Sequence, residues 1–402
     1  MKKDVVRLLR EQVEKVGHMD FYRRKFDQAG IKPADIKTLD DFKRIPFTFT
    51  SEFLGEVKKK PSECSLYSDE VTRINFSPSG QELYPIYNTN RDLEKMYNAG
   101  ARSLKTAGGK PGDICAVTFG YHLFIAGLFY QGQLEYYGAK AIPLGPGESE
   151  RAMTLINAYG ASVLVSNPTF AMKLAAAGIP GVRILFVGGE PFTSVEGYPE
   201  KVRDAFGRDI TIIDSYGMAS CLPVARSCRY ETGLHIMDDF VYAEVIDPVT
   251  GENVPYGEKG ELVLTHLCKD AAPVLRYRTG DLTYMEKKRC NCGREITLPK
   301  SVFGRTDEML KIKGVKFWPS QINTILREFP GLTNRYRVLI TAKKGVDYLE
   351  LVIEGSEKTE NTIDELSKRL KQETLLAFNK IVIVDELEQG PMVVDEREGR
   401  SF

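Results

Sequence analysis

The feature that most constrains the fold is a regular alternation of apolar and amphipathic segments between residues 113 and 217. Branched apolar residues predict strands, and helical spacing of the apolar positions predicts helices. The predicted strands are 114–119, 139–144, 162–166, 182–187 and 210–214, and the predicted helices are 123–137, 150–159, 169–177 and 195–206. Strands that alternate with helices favour an α/β fold, in which helices cover both faces of a doubly wound, mostly parallel sheet.

The remainder of the chain predicts a second, smaller domain. From residue 242 the pattern becomes β-rich, which indicates a small antiparallel barrel or sheet. An α+β pattern follows, with helices at 319–328 and 360–375 and strands at 336–341, 348–354 and 380–384. A chain of 402 residues exceeds one ordinary core. We predict a large N-terminal domain at 1–305, with doubly wound sheets and a β-barrel-like subdomain, and a small mobile α+β domain at 306–402.

The first 60 residues are polar and helical in pattern. Thr38 and Asp40 both precede a short amphipathic stretch that ends before Ile45-Pro46. Side chains of these types cap helices by accepting a backbone N–H, so either residue can begin a short helix here.

The charge balance excludes two classes of partner. Lys plus Arg and Asp plus Glu number 55 each, so the chain lacks the basic surplus typical of proteins that bind nucleic acid or an anionic membrane. No apolar run reaches the roughly 18 residues of a membrane span, and no signal-like apolar core follows Met1. We expect a cytoplasmic protein, in which the seven cysteines are thiols or metal ligands.

Glycine-rich turns follow three of the predicted strands. They lie at 119–122, 188–191 and 214–218, and ligands of doubly wound sheets bind at such carboxyl ends. Glycine allows a ligand to approach the backbone closely, and a tyrosine there can stack on a planar base. A Ser/Pro/Gly turn at 77–85 can cradle phosphate with backbone N–H groups, although a plain hairpin turn explains the same spacing.

Four residues have the chemistry of a zinc site. Cys228 precedes His235 by seven positions, and Cys290 and Cys292 form a Cys-x-Cys pair. Three thiolates and one imidazole make a four-coordinate set with no open position, which is typical of structural zinc. The spacing is not that of a standard finger, so buried thiols and a core histidine are the alternative interpretation.

Several motifs occur in the order of one known family. They are Gly188-Gly189-Glu190-Pro191-Phe192, Asp214-Ser215-Tyr216-Gly217-Met218, Arg276-Tyr277-Arg278-Thr279-Gly280-Asp281-Leu282 and Gly304-Arg305-Thr306-Asp307-Glu308. Over nearly its whole length the chain resembles the phenylacetate–coenzyme A ligase branch of the adenylate-forming enzymes. Members of this branch activate an aromatic carboxylic acid with ATP to an acyl-adenylate and then usually pass the acyl group to coenzyme A.

The resemblance implies a role for each motif. Asp281 would accept the ribose hydroxyls, Tyr216 would stack on adenine, and Arg305 would reach the ribose or phosphate. Asp307 would be the hinge of the small domain. The implied nucleotide-binding residues are Ser79, Gly80, Gly189, Glu190, Pro191, Asp214, Ser215, Tyr216, Gly217, Met218, Asp281 and Arg305. The implied acid-binding residues are Tyr121, Phe124 and Gly188, together with His122, for which an ordinary pocket-wall position is the alternative.

The resemblance also implies the cofactors and partners. ATP, Mg²⁺ and coenzyme A would serve the reaction, and Zn²⁺ would bind the four cysteine and histidine residues, as it does in several members. The substrate would be a small aromatic acid. A homodimer is common among relatives, and a downstream reductase or transferase could take the activated acyl group instead of coenzyme A.

The chain departs from the family pattern at three places. The phosphate loop reads Ser79-Gly80-Gln81-Glu82, where the hydroxyls and second glycine are lost and Glu82 brings a negative charge. Ser220 stands where the adenine motif normally has a magnesium-binding glutamate. The segment 389–395 offers no lysine for adenylation. These changes keep an alternative open, a non-adenylating homologue that holds an aryl acid, adenylate or thioester for a partner enzyme.

Overall fold

The computed structural model describes residues 5–79, 82–306, 310–312, 315–317, 319–343, 346–374 and 376–396. It divides into two compact units. The first unit takes the chain up to Thr279 and the segment Thr283–Val302, and the second takes Gly280–Leu282 and the chain from Phe303 onward. The boundary at residue 305 that the sequence suggested stays a prediction.

Helices at the start of the first unit pack on a later segment of the chain. They are α1 (Val5–Val16), α2 (Asp20–Ala29), α3 (Leu39–Lys43) and α4 (Thr50–Val57), with a 3₁₀ turn at Pro33–Asp35. Thr38 caps α3, because its hydroxyl accepts the Asp41 N–H at 3.1 Å. The buried Tyr22 hydroxyl donates to the Pro273 carbonyl at 2.7 Å, which fixes α2 against that segment.

A hairpin and a long helix precede the main sheet. Strand β1 (Val71–Ser79) pairs antiparallel with β2 (Glu82–Thr89), and helix α5 (Asn90–Thr106) follows directly. The strands pair as far as Ser79 and Glu82, so only two residues separate them. The Thr89 hydroxyl accepts the Asp92 N–H at 3.0 Å and begins α5 as an N-cap.

The predicted alternation is confirmed as one seven-stranded sheet. Its strands are β3 (Ile114–Val117), β4 (Lys140–Pro143), β5 (Val163–Ser166), β6 (Ile184–Gly188), β7 (Thr211–Met218), β8 (Cys221–Arg226) and β9 (His235–Ile236). The intervening helices are α6 (Ile125–Tyr137), α7 (Ser149–Ala158), α8 (Pro168–Ala177) and α9 (Tyr198–Phe206). The strand order is β4-β3-β5-β6-β7-β8-β9, parallel up to β7 and antiparallel beyond it.

Helices cover both faces of this sheet, as the sequence predicts. Successive residues of β6 belong to different buried clusters. Phe186 packs with residues of α5 and α6, whereas Leu185 packs with residues of α7, α8 and α9. Successive side chains of a strand point to opposite faces. The apolar strands therefore contribute to two cores at once, which is why they read as continuous apolar runs.

The β-rich segment of the first unit forms sheets. Strand β10 (Val241–Ile246) pairs antiparallel with β11 (Gly260–His266), and β12 (Tyr277–Thr283) follows in the strand order. A two-stranded hairpin of β13 (Glu286–Lys287) and β14 (Ile296–Thr297) comes next. Over the described residues no helix combines the length and apolarity needed to cross a bilayer.

The second unit has the α+β structure that the sequence predicts. Its elements are β15 (Gly304–Arg305), β16 (Leu310–Ile312), β17 (Val315–Phe317), α10 (Ser320–Leu326), β18 (Leu332–Lys343), β19 (Val346–Gly355), α11 (Glu360–Thr374), β20 (Lys380–Val384) and β21 (Val393–Asp395). A four-stranded sheet in the order β20-β19-β18-β21 packs its apolar face against α10 and α11, where Leu349, Leu351 and Leu366 are fully buried.

Candidate active site and metal centre

Gly188, one of the predicted acid-binding residues, lies at the carboxyl edge of the main sheet. Gly188 ends β6 and lies in register with Ser215 of β7. A Cβ on Gly188 would lie 2.9 Å from the Ser215 carbonyl oxygen and 3.2 Å from the Tyr130 hydroxyl. On the next residue, Gly189, a Cβ would lie 3.4 Å from Phe119. A side chain at Gly188 would therefore be crowded, and at Gly189 the φ of +78° favours glycine.

Two aromatic rings lie beside this glycine pair, and a third aromatic residue, Tyr121, lies in the loop after β3. The rings of Phe119 and Tyr130 stack with centroids 5.1 Å apart. Tyr121 is half-buried, its hydroxyl has no hydrogen-bond partner among the described residues, and burial raises its pKa. Aromatic walls of this kind suit an apolar, planar ligand. The role of Tyr121 in acid binding stays a prediction.

The other two acid-site residues predicted from the sequence lie in the loop before α6. His122 and Phe124 are both exposed. Strand β1 holds the loop, because the Phe76 N–H donates to the Leu123 carbonyl at 2.8 Å and the Asn75 amide donates to the carbonyls of residues 123 and 124. The structure therefore places His122 and Phe124 at the surface.

Glu190 contacts the first turn of a neighbouring helix. Its carboxylate accepts the Thr169 N–H at 3.2 Å and the Thr169 hydroxyl at 2.6 Å, at the first turn of α8. A carboxylate at a helix N-terminus satisfies unpaired N–H groups and interacts favourably with the helix dipole. These contacts account for Glu190 structurally, and its predicted part in nucleotide binding, like that of the adjacent Pro191, stays untested.

Asp214 is buried in the adenine motif. Its carboxylate accepts the Thr193 hydroxyl at 2.5 Å and the Thr193 N–H at 3.3 Å. Burial raises the pKa of Asp214 to about 6, against the opposing effect of these hydrogen bonds. The side chain therefore links β7 to the loop after β6, where the predicted purine-binding segment lies.

Replacing Asp214 with asparagine is expected to change how stability depends on pH. Because the folded pKa is raised from 3.8 to about 6, the unfolded chain releases this proton first, and stability falls as pH rises between these values. The Asp214→Asn variant lacks this loss, which is on the order of 2–3 kcal/mol. Urea unfolding from pH 4 to pH 7, followed by circular dichroism, measures the difference. Parallel stability curves for the two proteins would contradict the expectation.

The rest of the adenine motif continues along β7 into a tight hairpin. Tyr216 is half-buried, and Gly217 and Met218 follow it to the turn, where Met218 pairs with Cys221. Ser220, which replaces the family glutamate, is buried, and its hydroxyl has no hydrogen-bond partner among the described residues. A buried serine hydroxyl is a poor substitute for an exposed magnesium-binding carboxylate.

Within the second unit, Asp281 and Arg305 lie side by side. They pair in register between β12 and β15, and Arg305 Nη1 lies 3.0 Å from Asp281 Oδ1. Gly280 has a φ of +75°, and a Cβ there would lie 2.7 Å from Arg305 Nη2, so only glycine fits beside the guanidinium. The structure thus joins two residues that the sequence predicts to bind one nucleotide.

The altered phosphate loop is only partly described. Ser79 ends β1 opposite Glu82, whereas Gly80 lies outside the described residues, as does the predicted hinge residue Asp307. Glu82 is exposed, and Lys58 Nζ lies 2.5 Å from its carboxylate. The lysine therefore offsets the negative charge that the sequence places in this loop.

Cys228, His235, Cys290 and Cys292 come together in the first unit. Their ligand atoms all lie within 4.8 Å of one another. The Cys228 and Cys290 sulfurs are 3.7 Å apart, and the Cys292 sulfur is 3.3 Å from His235 Nε2. Tetrahedral zinc with bonds of about 2.3 Å to sulfur and about 2.0–2.1 Å to nitrogen requires ligand separations of roughly 3.5–3.8 Å. The donor set and its dimensions therefore fit a zinc ion.

The surrounding backbone holds these four ligands in place. Cys290 and Cys292 lie in the turn of the β13–β14 hairpin, and His235 lies in β9. Leu234 and Leu298 exchange two backbone hydrogen bonds of 2.8 Å, which fasten the two segments together. The Thr232 hydroxyl donates to the Cys290 sulfur at 2.9 Å. Hydrogen bonds to ligand atoms commonly orient them in metal centres.

One buried charge near the site escaped the sequence analysis. Arg226 in β8 is 1% exposed, and its guanidinium lies 5.2–5.7 Å from the ring centroids of Phe129, Tyr130 and Phe186. Desolvation lowers its pKa, and Tyr130 opposes the shift. The sequence could have indicated this residue, because the arginine ends the apolar run Leu-Pro-Val-Ala-Arg. Charged residues are almost never fully buried unless they are paired.

Two family models match the chain in the order of the two units. Residues 119–267 match the model described as AMP-binding enzyme. Residues 314–389 match the model described as AMP-binding enzyme C-terminal domain. The first match includes the glycine pair and the adenine motif, and the second lies within the small α+β unit.

Relatives over most of the chain agree with these models. A phenylacetate-coenzyme A ligase of Thermus thermophilus is 35% identical over 350 residues, covering 84% of this chain and 77% of that protein. One of Pseudomonas putida is 31% identical over 375 residues, covering 88% and 83%. A solved open conformation of 2-hydroxyisobutyryl-CoA ligase, in complex with 2-HIB-AMP and CoA, matches with a TM-score of 0.84 at 26% identity, covering 98% of this chain and 91% of that one. The chain therefore belongs to the phenylacetate–coenzyme A ligase-like branch of the adenylate-forming ligases.

Proposed function

We propose that this protein activates an aromatic carboxylic acid with ATP and then transfers the acyl group to coenzyme A. The observation that carries the proposal is the identity of 30–35% to four phenylacetate-coenzyme A ligases. The stacked rings of Phe119 and Tyr130 beside the glycine pair support an aromatic acid, since aromatic side chains pack favourably against a planar ring. ATP would supply the adenylyl group and pyrophosphate as the leaving group.

The proposed nucleotide-binding residues include Tyr216, Asp281 and Arg305. Tyr216 would stack on adenine, and Asp281 would accept the ribose hydroxyls. The pairing of Asp281 with Arg305 at 3.0 Å supports this assignment, because the pair offers an anionic acceptor for hydroxyls beside a cationic donor for phosphate. Ser220 in place of a carboxylate implies that Mg²⁺ is held mainly by the phosphates.

Zinc would serve structure and not the reaction. The four-ligand set of Cys228, His235, Cys290 and Cys292 leaves no open coordination position for a substrate. Binding there would join the β13–β14 hairpin to the segment around His235. A cytoplasmic location, a homodimer and a downstream reductase or transferase remain predictions.

The test is ATP–pyrophosphate exchange with the purified full-length protein across a panel of aromatic acids, with and without Mg²⁺. We expect exchange that depends on both the acid and Mg²⁺, and formation of an acyl thioester when coenzyme A is added. Exchange without thioester formation would contradict the coenzyme A step alone.

A matched measurement separates this function from its alternative. Isothermal titration with the same acids reports binding independently of chemistry. Binding of an aromatic acid without exchange would overturn the proposed activity in favour of a non-adenylating homologue that presents its ligand to a partner enzyme. The buried hydroxyl of Ser220 and the altered phosphate loop are the features that favour this alternative.

A further inference from the structure

The row formed by Gly188, Ser215 and Arg226 crosses three neighbouring strands at the acid-binding edge. Gly188 is in register with Ser215, and Ser215 is in register with Arg226. Residues in register on adjacent strands direct their side chains to the same face of a sheet. The side of Gly188 that lacks a side chain therefore faces Ser215, with Arg226 as the next neighbour along the row.

Hydrogen-bond donors in this row are left without acceptors. The Arg226 Nη1 donates to the Gly100 carbonyl at 3.2 Å, but Nε and Nη2 have no partner among the described residues. The hydroxyl of Ser215 is also buried and has none. Buried polar groups in proteins are almost always satisfied, so each exception requires an explanation.

Aromatic contacts explain only part of the arrangement at Arg226. Aromatic rings within about 6 Å of a guanidinium attract it electrostatically. Of these rings only Tyr130 carries an oxygen, and its hydroxyl favours the charged guanidinium. Nε and Nη2 of Arg226 nevertheless have no partner at hydrogen-bond geometry among the described residues, neither a carboxylate nor any other group. Arginine keeps its charge even when buried. An anionic or strongly accepting oxygen is therefore the missing complement.

Tyr130 places this charge next to the substrate position. A Cβ on Gly188 would lie 3.2 Å from the Tyr130 hydroxyl, and the Arg226 guanidinium lies 5.2 Å from the Tyr130 ring. A ring bound against Gly188 would thus have Tyr130 and Ser215 at its far end and Arg226 behind them. An unsubstituted phenyl group offers these donors nothing to bind.

We propose that the acid carries a second oxygen acceptor, a ring hydroxyl or a second carboxylate, which Ser215 and Arg226 bind at the inner end of the acyl site. This inference rests on the proposed acid activation and names its substrate class. Because unpaired buried donors penalise a ligand that lacks the acceptor, discrimination against the unsubstituted acid is expected to be large, at least about 100-fold.

The experiment compares four acids by ATP–pyrophosphate exchange: phenylacetate and its para-methyl, para-hydroxy and para-carboxy derivatives. The para-methyl acid is similar in size to the para-hydroxy acid but cannot form the hydrogen bonds, so it separates the effect of size from that of hydrogen bonding. We expect a kcat/KM at least about 100-fold higher for the hydroxy or carboxy acid than for the methyl acid. Whichever oxygenated acid is preferred identifies the acceptor. Equal activity with the methyl acid would overturn the inference and leave the proposed function intact.

Variants test the two residues. Arg226→Gln and Ser215→Ala are each expected to reduce the ratio of kcat/KM between oxygenated and methyl acids by about 10–100-fold. Because both acids are compared at the same ATP concentration, a loss of nucleotide affinity affects both kcat/KM values and leaves their ratio unchanged. Arg203→Gln, which removes a surface arginine paired with Glu231, is the matched control. If Arg226→Gln does not fold, the Ser215→Ala variant is the deciding test. An unchanged ratio of kcat/KM between oxygenated and methyl acids in that variant overturns the inference.

Failure of the proposed function is recognised separately. If none of the four acids supports exchange, calorimetric binding of the same acids decides. Preferential binding of an oxygenated acid that is weakened in Ser215→Ala supports the inference without adenylation. Equal binding of all four acids, or binding of none, overturns it.

Discussion

Replacing Cys290 with serine is expected to release one zinc ion per chain and to destabilise the first unit by several kcal/mol. The physical reason is that the ligands come from segments far apart in sequence. The unfolded chain does not hold these ligands together, so metal binding stabilises only the folded state. Three thiolates and one imidazole lie within 4.8 Å of one another, with separations that suit tetrahedral zinc. Elemental analysis of the dialysed protein and thermal unfolding measure the two effects.

The control for this variant is Cys268→Ser, which alters a half-buried thiol outside the cluster. It should keep the zinc ion and the unfolding temperature of the parent. Incubation with a chelator should reproduce the Cys290→Ser phenotype in the unmodified protein. A metal-free parent that unfolds at the same temperature as the variant would show that the four residues are ordinary buried thiols and a core histidine.

Replacing Asp281 with asparagine is expected to lower kcat/KM for ATP by about 100-fold in pyrophosphate exchange. A carboxylate can accept two hydroxyl groups, and hydrogen bonds to a charged group contribute about 1.5–3 kcal/mol each. Asparagine keeps one acceptor of similar shape but loses the charge that also pairs with Arg305. Most of the effect should appear in KM for ATP and little in KM for the acid.

Asp385→Asn provides a control in the same unit. Asp385 is an exposed carboxylate whose partner, Lys358 Nζ, lies 2.6 Å away. This substitution should leave exchange unchanged. If Asp281→Asn raised KM for the acid and not for ATP, the ribose assignment would be wrong, and the Asp281–Arg305 pair would be a structural contact only.

The local pattern of the sequence determined the elements and the fold class. Branched apolar runs and helical spacing determined the parallel sheet, because strands buried on both faces are apolar at every position. The hydroxyl of Thr38 determined the start of α3, since a cap acts on N–H groups only three residues away. Three cysteines and one histidine of the right chemistry could also be recognised, although their proximity could not.

Only the tertiary structure decided how each site residue is used. Glu190 accepts a hydrogen bond from Thr169 in the first turn of α8, and Asp214 accepts one from Thr193. Each pair is separated by 21 residues of chain. Arg226 became informative once its neighbours were known, because its register with Ser215 and Gly188 places a buried cation at the edge where we propose that the acid binds. Hydrogen bonding and desolvation depend on which groups come into contact in the folded protein. When the two groups lie on different strands, their spacing along the chain does not show whether they will meet.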